Sequence, residues 1–76
     1  MEMNGITTAI ESILFAADKP VSINRLLEVF SDLNPKKEDI KESLNHLKSR
    51  YETDEYGFEL RQAQGGFQFI TKPKNA

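Results

Sequence analysis

The sequence has no cysteine among its 76 residues. That excludes a disulfide framework, a thiol nucleophile and a thiolate metal site. The absence fits a reducing compartment, and it fits many secreted proteins equally. No uninterrupted apolar run is long enough to cross a bilayer. The apolar stretch Ile13-Leu14-Phe15-Ala16-Ala17 is too short for a signal peptide and follows no basic leader, so neither export nor a membrane role is expected. A positive excess is missing too. Ten Lys and Arg stand against twelve Asp and Glu, for a formal net charge of −2. A standalone polyanion binder is normally basic, so bulk electrostatics gives nucleic acid no help. Repeats, low-complexity tracts and internal linkers are also absent. Residues 1–76 have room for one domain and one core.

The charge that is present is uneven. Residues 1–33 are net −3, residues 34–50 net +2 and residues 51–76 net −1. The middle segment is the only mildly basic one.

Apolar periodicity gives the elements. Ile6, Ile10, Ile13, Leu14 and Ala17 share one face of a helix, which predicts a first helix over about 5–18. Asn4 is the expected cap, and the residue before Pro20 ends the run. Ser22 is a good N-cap for a second helix over about 23–32, with Val21 and Leu26 placed as a hydrophobic staple. Its stripe is Ile23, Leu26, Leu27, Phe30 and Leu33. Asn34-Pro35 reads as a capping Asn followed by Pro at the first helical position. The third helix is then expected over about 35–52, with Ile40, Leu44, Leu47 and Tyr51 as its seam.

Beyond Glu55 the period changes. Phe58-Glu59-Leu60-Arg61-Gln62 alternates, as does Phe67-Gln68-Phe69, with Ala63-Gln64-Gly65-Gly66 between them. Two alternating runs joined by a Gly-Gly turn predict a β-hairpin. Thr71-Lys72-Pro73 closes its second strand. Three helices followed by a hairpin is the order of a winged helix-turn-helix, an α+β fold. Pro20-Val21-Ser22 is placed to add a small third strand, which would stabilise the hairpin.

Few residues point to chemistry. The single histidine, His46, falls on the polar side of the third helix. The adjacent carboxylates Glu38-Asp39 and Asp54-Glu55 do not face one another on a helix and lack the Gly-organised loop of a calcium site. Gly65-Gly66 leads into a strand, whereas a phosphate cradle leads into a helix. No catalytic residue, metal ligand or cofactor is expected, and the chain reads as no enzyme.

Winged helices often read DNA with the third helix in the major groove. Here the outward face of that helix carries Glu38, Glu42, Asn45 and Ser49, and Lys36, Lys37, Lys41, Lys48 and Arg50 only flank it. The turn Gln64-Gly65-Gly66 offers no cation to a phosphate backbone. Direct sequence-specific recognition of nucleic acid is not expected.

Phe15 and Ile70 stand out. Phe15 lies about 180° round the first helix from Ile6, Ile10, Ile13 and Ala17. Ile70 shares a strand face with Gln68 and Lys72, opposite Phe67 and Phe69. Each either packs under its own chain or belongs to a dimer or partner interface, where aromatics are enriched.

Two blocks of sequence carry a resemblance. Ile13-Leu14-Phe15-Ala16-Ala17, Lys19-Pro20-Val21-Ser22 and Leu26 resemble the opening of segregation and condensation protein B. Phe58-Glu59-Leu60-Arg61 and Gly65-Gly66-Phe67-Gln68-Phe69-Ile70-Thr71-Lys72-Pro73 resemble the hairpin of that family. The resemblance implies a winged-helix, cytoplasmic and nucleoid-associated factor of bacterial chromosome condensation and segregation. It implies a homodimer that binds the kleisin, segregation and condensation protein A, and through it the SMC ATPase. It also implies an accessory subunit without catalysis, and it assigns no binding residue by motif. Members of the family carry a second winged helix, so residues 1–76 are expected to be an N-terminal fragment. The alternative reading is a winged-helix transcriptional regulator, which rests on fold alone.

Overall fold

Helix α1 spans Met3–Ala16 in the computed structural model, which describes residues 3–73. Ile6, Ile10 and Leu14, one turn apart, are buried, and Ile13 packs against them. The helix therefore starts before the expected cap, and Asn4 is its second residue. Helical bonding runs one residue past the end, where Ala17 N donates to Ile13 O at 3.0 Å.

Helix α2 is short, Ile23–Val29. Its start is as expected: the Ser22 hydroxyl accepts from Arg25 N at 3.0 Å, satisfying one of the helix's orphan donors. Its end is not. The chain tightens into a 3-10 turn over Ser31–Leu33, and three residues per turn throw the next side chain off the α stripe. Leu33, expected in the apolar stripe, is 54% exposed.

Helix α3 spans Lys37–Tyr51. The expected Asn34-Pro35 start is corrected here. Asn34 adopts the left-handed conformation and closes the preceding 3-10 turn, its N–H donating to Ser31 O at 3.1 Å. The N-cap is Lys36, whose N–H donates to the Asp39 carboxylate at 3.1 Å. Lysine has no acceptor, so this is half of a capping box, and it places negative charge at the positive end of the helix. The seam is as expected: Ile40, Leu44, Leu47 and Tyr51 are all buried. Ser43 is buried with them and accepts from Thr7 Oγ1 at 2.9 Å across the α1–α3 contact.

Strands β1 (Phe58–Ala63) and β2 (Gly66–Thr71) pair antiparallel, with Leu60 opposite Phe69 and Ala63 opposite Gly66. Gly65, with φ of 82°, takes the left-handed turn conformation that a side chain disfavours. Leu60 enters the core, and Phe67 and Phe69 pack against it. The small third strand is a single bridge. Val21 N donates to Phe67 O at 2.9 Å and Phe67 N to Val21 O at 2.8 Å. Lys72, placed by alternation on the open face with Ile70, is buried instead. It lies just past the strand and its ammonium donates to the Thr53 carbonyl.

Candidate partner-binding site

Phe15 follows the buried Leu14, so it sits about 100° round α1 from a core residue. At that end of the helix the hairpin and the C-terminal turn of α3 pass close by. The ring of Phe15 stacks on Phe69, with centroids 4.1 Å apart and planes 8° from parallel. It meets Phe58 edge-on at 5.7 Å and Tyr51 at 5.9 Å. Tyr51 in turn contacts Phe69 at 4.8 Å and Tyr56 at 4.6 Å. Offset and edge-on pairs at these distances are favourable beyond the area they bury.

The cluster is closed below and open above. Tyr51 is buried, but Phe15 is 45%, Phe58 46% and Tyr56 36% exposed. Three aromatic rings thus share one patch of surface. A polar support lies under it: the Tyr51 hydroxyl donates to the Glu11 carboxylate, which also faces Arg50 Nη1 at 3.6 Å. Burial, then the bond to Glu11 and its charge, push the Tyr51 phenol up to about 12.

Ile70 is half-buried. Its cross-strand neighbour is Glu59, and strand alternation puts it on the opposite face from Phe69 and hence from Phe15. The structure does not bring Phe15 and Ile70 together. The exposed rings of Tyr56 and Phe58 were not singled out from sequence, although Tyr56-Gly57-Phe58 is an aromatic pair beside a chain reversal. Val29, the last residue of α2, and Leu33, in the 3-10 turn that follows, are also exposed.

No group of three His, Asp or Glu able to hold a metal occurs among the described residues. His46 is exposed on α3, as are Glu38, Glu42, Asn45 and Ser49. Gln64 and Gly65, at the hairpin tip, are exposed and uncharged. No helix among the described residues is long and apolar enough to cross a membrane.

Residues 8–76 match the family described as segregation and condensation complex subunit ScpB. The chain belongs to the ScpB family. It is 37% identical over 68 residues to segregation and condensation protein B of Myxococcus xanthus, covering 90% of this chain and 20% of that one. To the Moorella thermoacetica protein of the same name it is 33% identical over 73 residues, covering 96% and 36%. The chain thus spans a fifth to about a third of these relatives. Its fold is that of a crystal structure described as a dimer of the ScpB N-terminal domain complexed with ScpA peptide. The TM-score is 0.85 at 23% identity, over 99% of this chain and 85% of that one. Three helices followed by an antiparallel hairpin is therefore the winged-helix arrangement of ScpB N-terminal domains, as the order of elements predicted.

Proposed function

We propose that this chain is a non-enzymatic interaction module of the bacterial SMC–kleisin complex. It serves chromosome condensation and segregation by pairing with a second copy and by binding the kleisin ScpA. In that role it works in the cytoplasm, at the nucleoid. The dimer and the ScpA peptide named for the related N-terminal-domain structure are the partners we carry over to this chain.

The observation that carries the reading is the open aromatic patch. Phe15, Tyr56 and Phe58 present ring surface to solvent while Tyr51 and Phe69 hold them from beneath. A pre-formed cluster of rings loses little side-chain freedom when a partner covers it, which is how interface hot spots gain their affinity. Phe15 is assigned to the kleisin side. Ile70, on the other sheet face, is assigned to the neighbourhood of the second copy.

Calorimetric titration with ScpA tests this. The unmodified chain is expected to bind, and Phe15→Ser to lose binding while circular dichroism stays helical. Duplex DNA binding by the unmodified chain, with a steep log–log salt slope and no heat with ScpA, would favour the regulator instead.

A further inference from the structure

Lys37, Lys41 and Lys48 fall within about 40° of one another round α3, at about 100° per residue. All three are exposed, and no ion pair to any of them occurs among the described residues. They wall two adjoining cavities of about 240 and 270 Å³ between α3 and the hairpin. Lys41 and Lys48 stand with Leu60 and Gln62 in the first, and Lys37 with Gln62 and Ala63 in the second. No described acidic residue lines either one. The carboxylates of this side, Glu52, Asp54 and Glu59, gather round a third cavity beyond Leu60. Beside the lysines runs a strand edge with free backbone groups. Val21 bonds both backbone groups of Phe67, so those groups point away from β1, and the pair Gln62–Phe67 is a non-hydrogen-bonded one. Antiparallel ladders alternate, so the pair Leu60–Phe69 is another. The N–H and C=O groups of Leu60 and Gln62 therefore point outward from β1. No backbone partner for them occurs among the described residues.

We propose that an extended acidic segment of a protein partner docks here as an added strand on β1, with its carboxylates over Lys37, Lys41 and Lys48. The site is separate from the aromatic patch: it lies at the Gln62 end of the hairpin, and the patch lies at the Phe58 end. Register and charge agree. Residues of an added strand directly opposite Leu60 and Gln62 point to the same sheet face as those two, which is the face turned to α3. Such residues alternate, so they stand about 6.6–6.8 Å apart. Lys37 and Lys41 are one helical turn apart, about 6 Å along the axis. Two acids separated by one residue of any kind therefore meet the two lysines, and Lys48 stands ready for a third. The acids beyond Leu60 limit how far a negative segment can run. The strand edge decides between a peptide and a nucleic acid. It presents donors and acceptors together, and an added peptide strand meets both. A phosphodiester backbone offers acceptors only, so the outward carbonyls of Leu60 and Gln62 would stay unmet.

The probe is a short blocked peptide that alternates glutamate with threonine, titrated to ~1 mM and followed by NMR with amide exchange. Exchange at the Leu60 and Gln62 amides is expected to slow by about tenfold or more at saturation, as unpaired groups enter a ladder. The same peptide with lysine for glutamate is expected not to bind. Lys37→Glu with Lys41→Glu is expected to weaken the glutamate peptide by about tenfold or more. Both sites are exposed in the first turns of α3, where acid suits the helix dipole, so circular dichroism should be unchanged. Gln62→Pro removes one outward N–H without touching the β1–β2 ladder, and it is expected to weaken the peptide as well. Equal binding of the two peptides, or no loss in the double reversal, overturns the role of the lysines. Binding without slowed exchange at Leu60 and Gln62 overturns strand addition. If those two amides are already protected before peptide is added, a second copy holds the edge and the proposal falls. Competition by ScpA would make the groove part of the kleisin surface, and tighter binding of a single-stranded oligonucleotide would make it a nucleic-acid site. Either result overturns a separate acidic-peptide site. Loss of ScpA binding in Phe15→Ser, with peptide binding kept, is the expected sign that the two surfaces are distinct.

Discussion

Phe15 lies flat on Phe69, 4.1 Å between ring centroids, although the two come from opposite ends of the chain. The contact gives Phe15 a role in its own fold while 45% of it remains exposed. Full burial of a phenylalanine contributes about 1.5–3 kcal/mol, and about half of that is realised here. Ring pairing adds about 0.5–1.5 kcal/mol. Phe15→Ser is therefore expected to cost about 1–3 kcal/mol in urea denaturation and to leave a folded domain. A loss above about 4 kcal/mol would mark Phe15 as a core residue and remove it from any partner surface.

That contact also marks what the sequence could and could not disclose. The stripe Ile6, Ile10, Leu14 and the seam Ile40, Leu44, Leu47, Tyr51 are periodic, and periodicity alone placed them in the core. The hairpin was legible from its alternation and its Gly-Gly turn. Phe15 was legible only as an anomaly, because what lies beneath it comes from residues more than thirty positions away. Asn34-Pro35 misled for another reason. Asparagine serves both as an N-cap and as a left-handed C-cap, and the 3-10 turn over Ser31–Leu33 claimed it first. The buried Lys72 breaks the alternation because the strand has already ended at Thr71.

The two glycines of the hairpin turn carry different constraints. A Cβ on Gly66 would stand 2.7 Å from Ser22 N and closer still to the Val21 carbonyl. These are backbone atoms, so relief requires opening the Val21–Phe67 bridge. Gly65 has free space around it and only a positive φ. Gly66→Ala is expected to cost about 2–3 kcal/mol by overpacking, against about 1 kcal/mol for Gly65→Ala. Thermal denaturation of the two variants side by side checks the order. Amide exchange at Phe67 should rise in Gly66→Ala alone.

Leu44 and Leu47 are 2% and 0% exposed in the α3 seam. Leu44→Ala is expected to cost about 2–5 kcal/mol, out of the roughly 5–10 kcal/mol available to a domain of this size. The variant should be largely unfolded near body temperature. A change below about 1 kcal/mol in chemical denaturation would be incompatible with the burial seen at this position.

Tyr51 gives the fold an alkaline limit. Its phenol is raised from 10.0 to about 12, by burial first and by Glu11 second. The folded state therefore holds this proton more tightly than the unfolded state does. The resulting stability is fully present below pH 10 and is lost as pH rises from 10 towards 12. Denaturation midpoints should fall across that window. Tyr51→Phe should flatten the fall, while also losing the hydrogen bond to Glu11 at neutral pH. An equally steep alkaline slope in Tyr51→Phe would assign the effect to another group.

Helix α3 is where a DNA-reading winged helix would meet the major groove. Glu38 and Glu42 stand exposed one turn apart on its outward face, so two carboxylates would be driven against phosphate and base edges. The lysines beside them do not offset this, because the face that enters a groove is narrow and acidic at its centre. The turn at Gln64 and Gly65 brings no cation to the backbone. The unmodified chain is expected to show no sequence-selective duplex binding at physiological salt. Glu38→Lys with Glu42→Lys reverses the face and takes the chain from a net −2 to a net positive charge. That variant is expected to bind duplex weakly and without sequence preference. Its affinity should fall linearly in log–log terms as salt rises, because the new contacts release counterions rather than read bases. Fluorescence anisotropy with two unrelated duplexes at several salt concentrations distinguishes the cases. Tight binding of one duplex over the other by the unmodified chain would mean that the acidic face is not the surface presented to DNA.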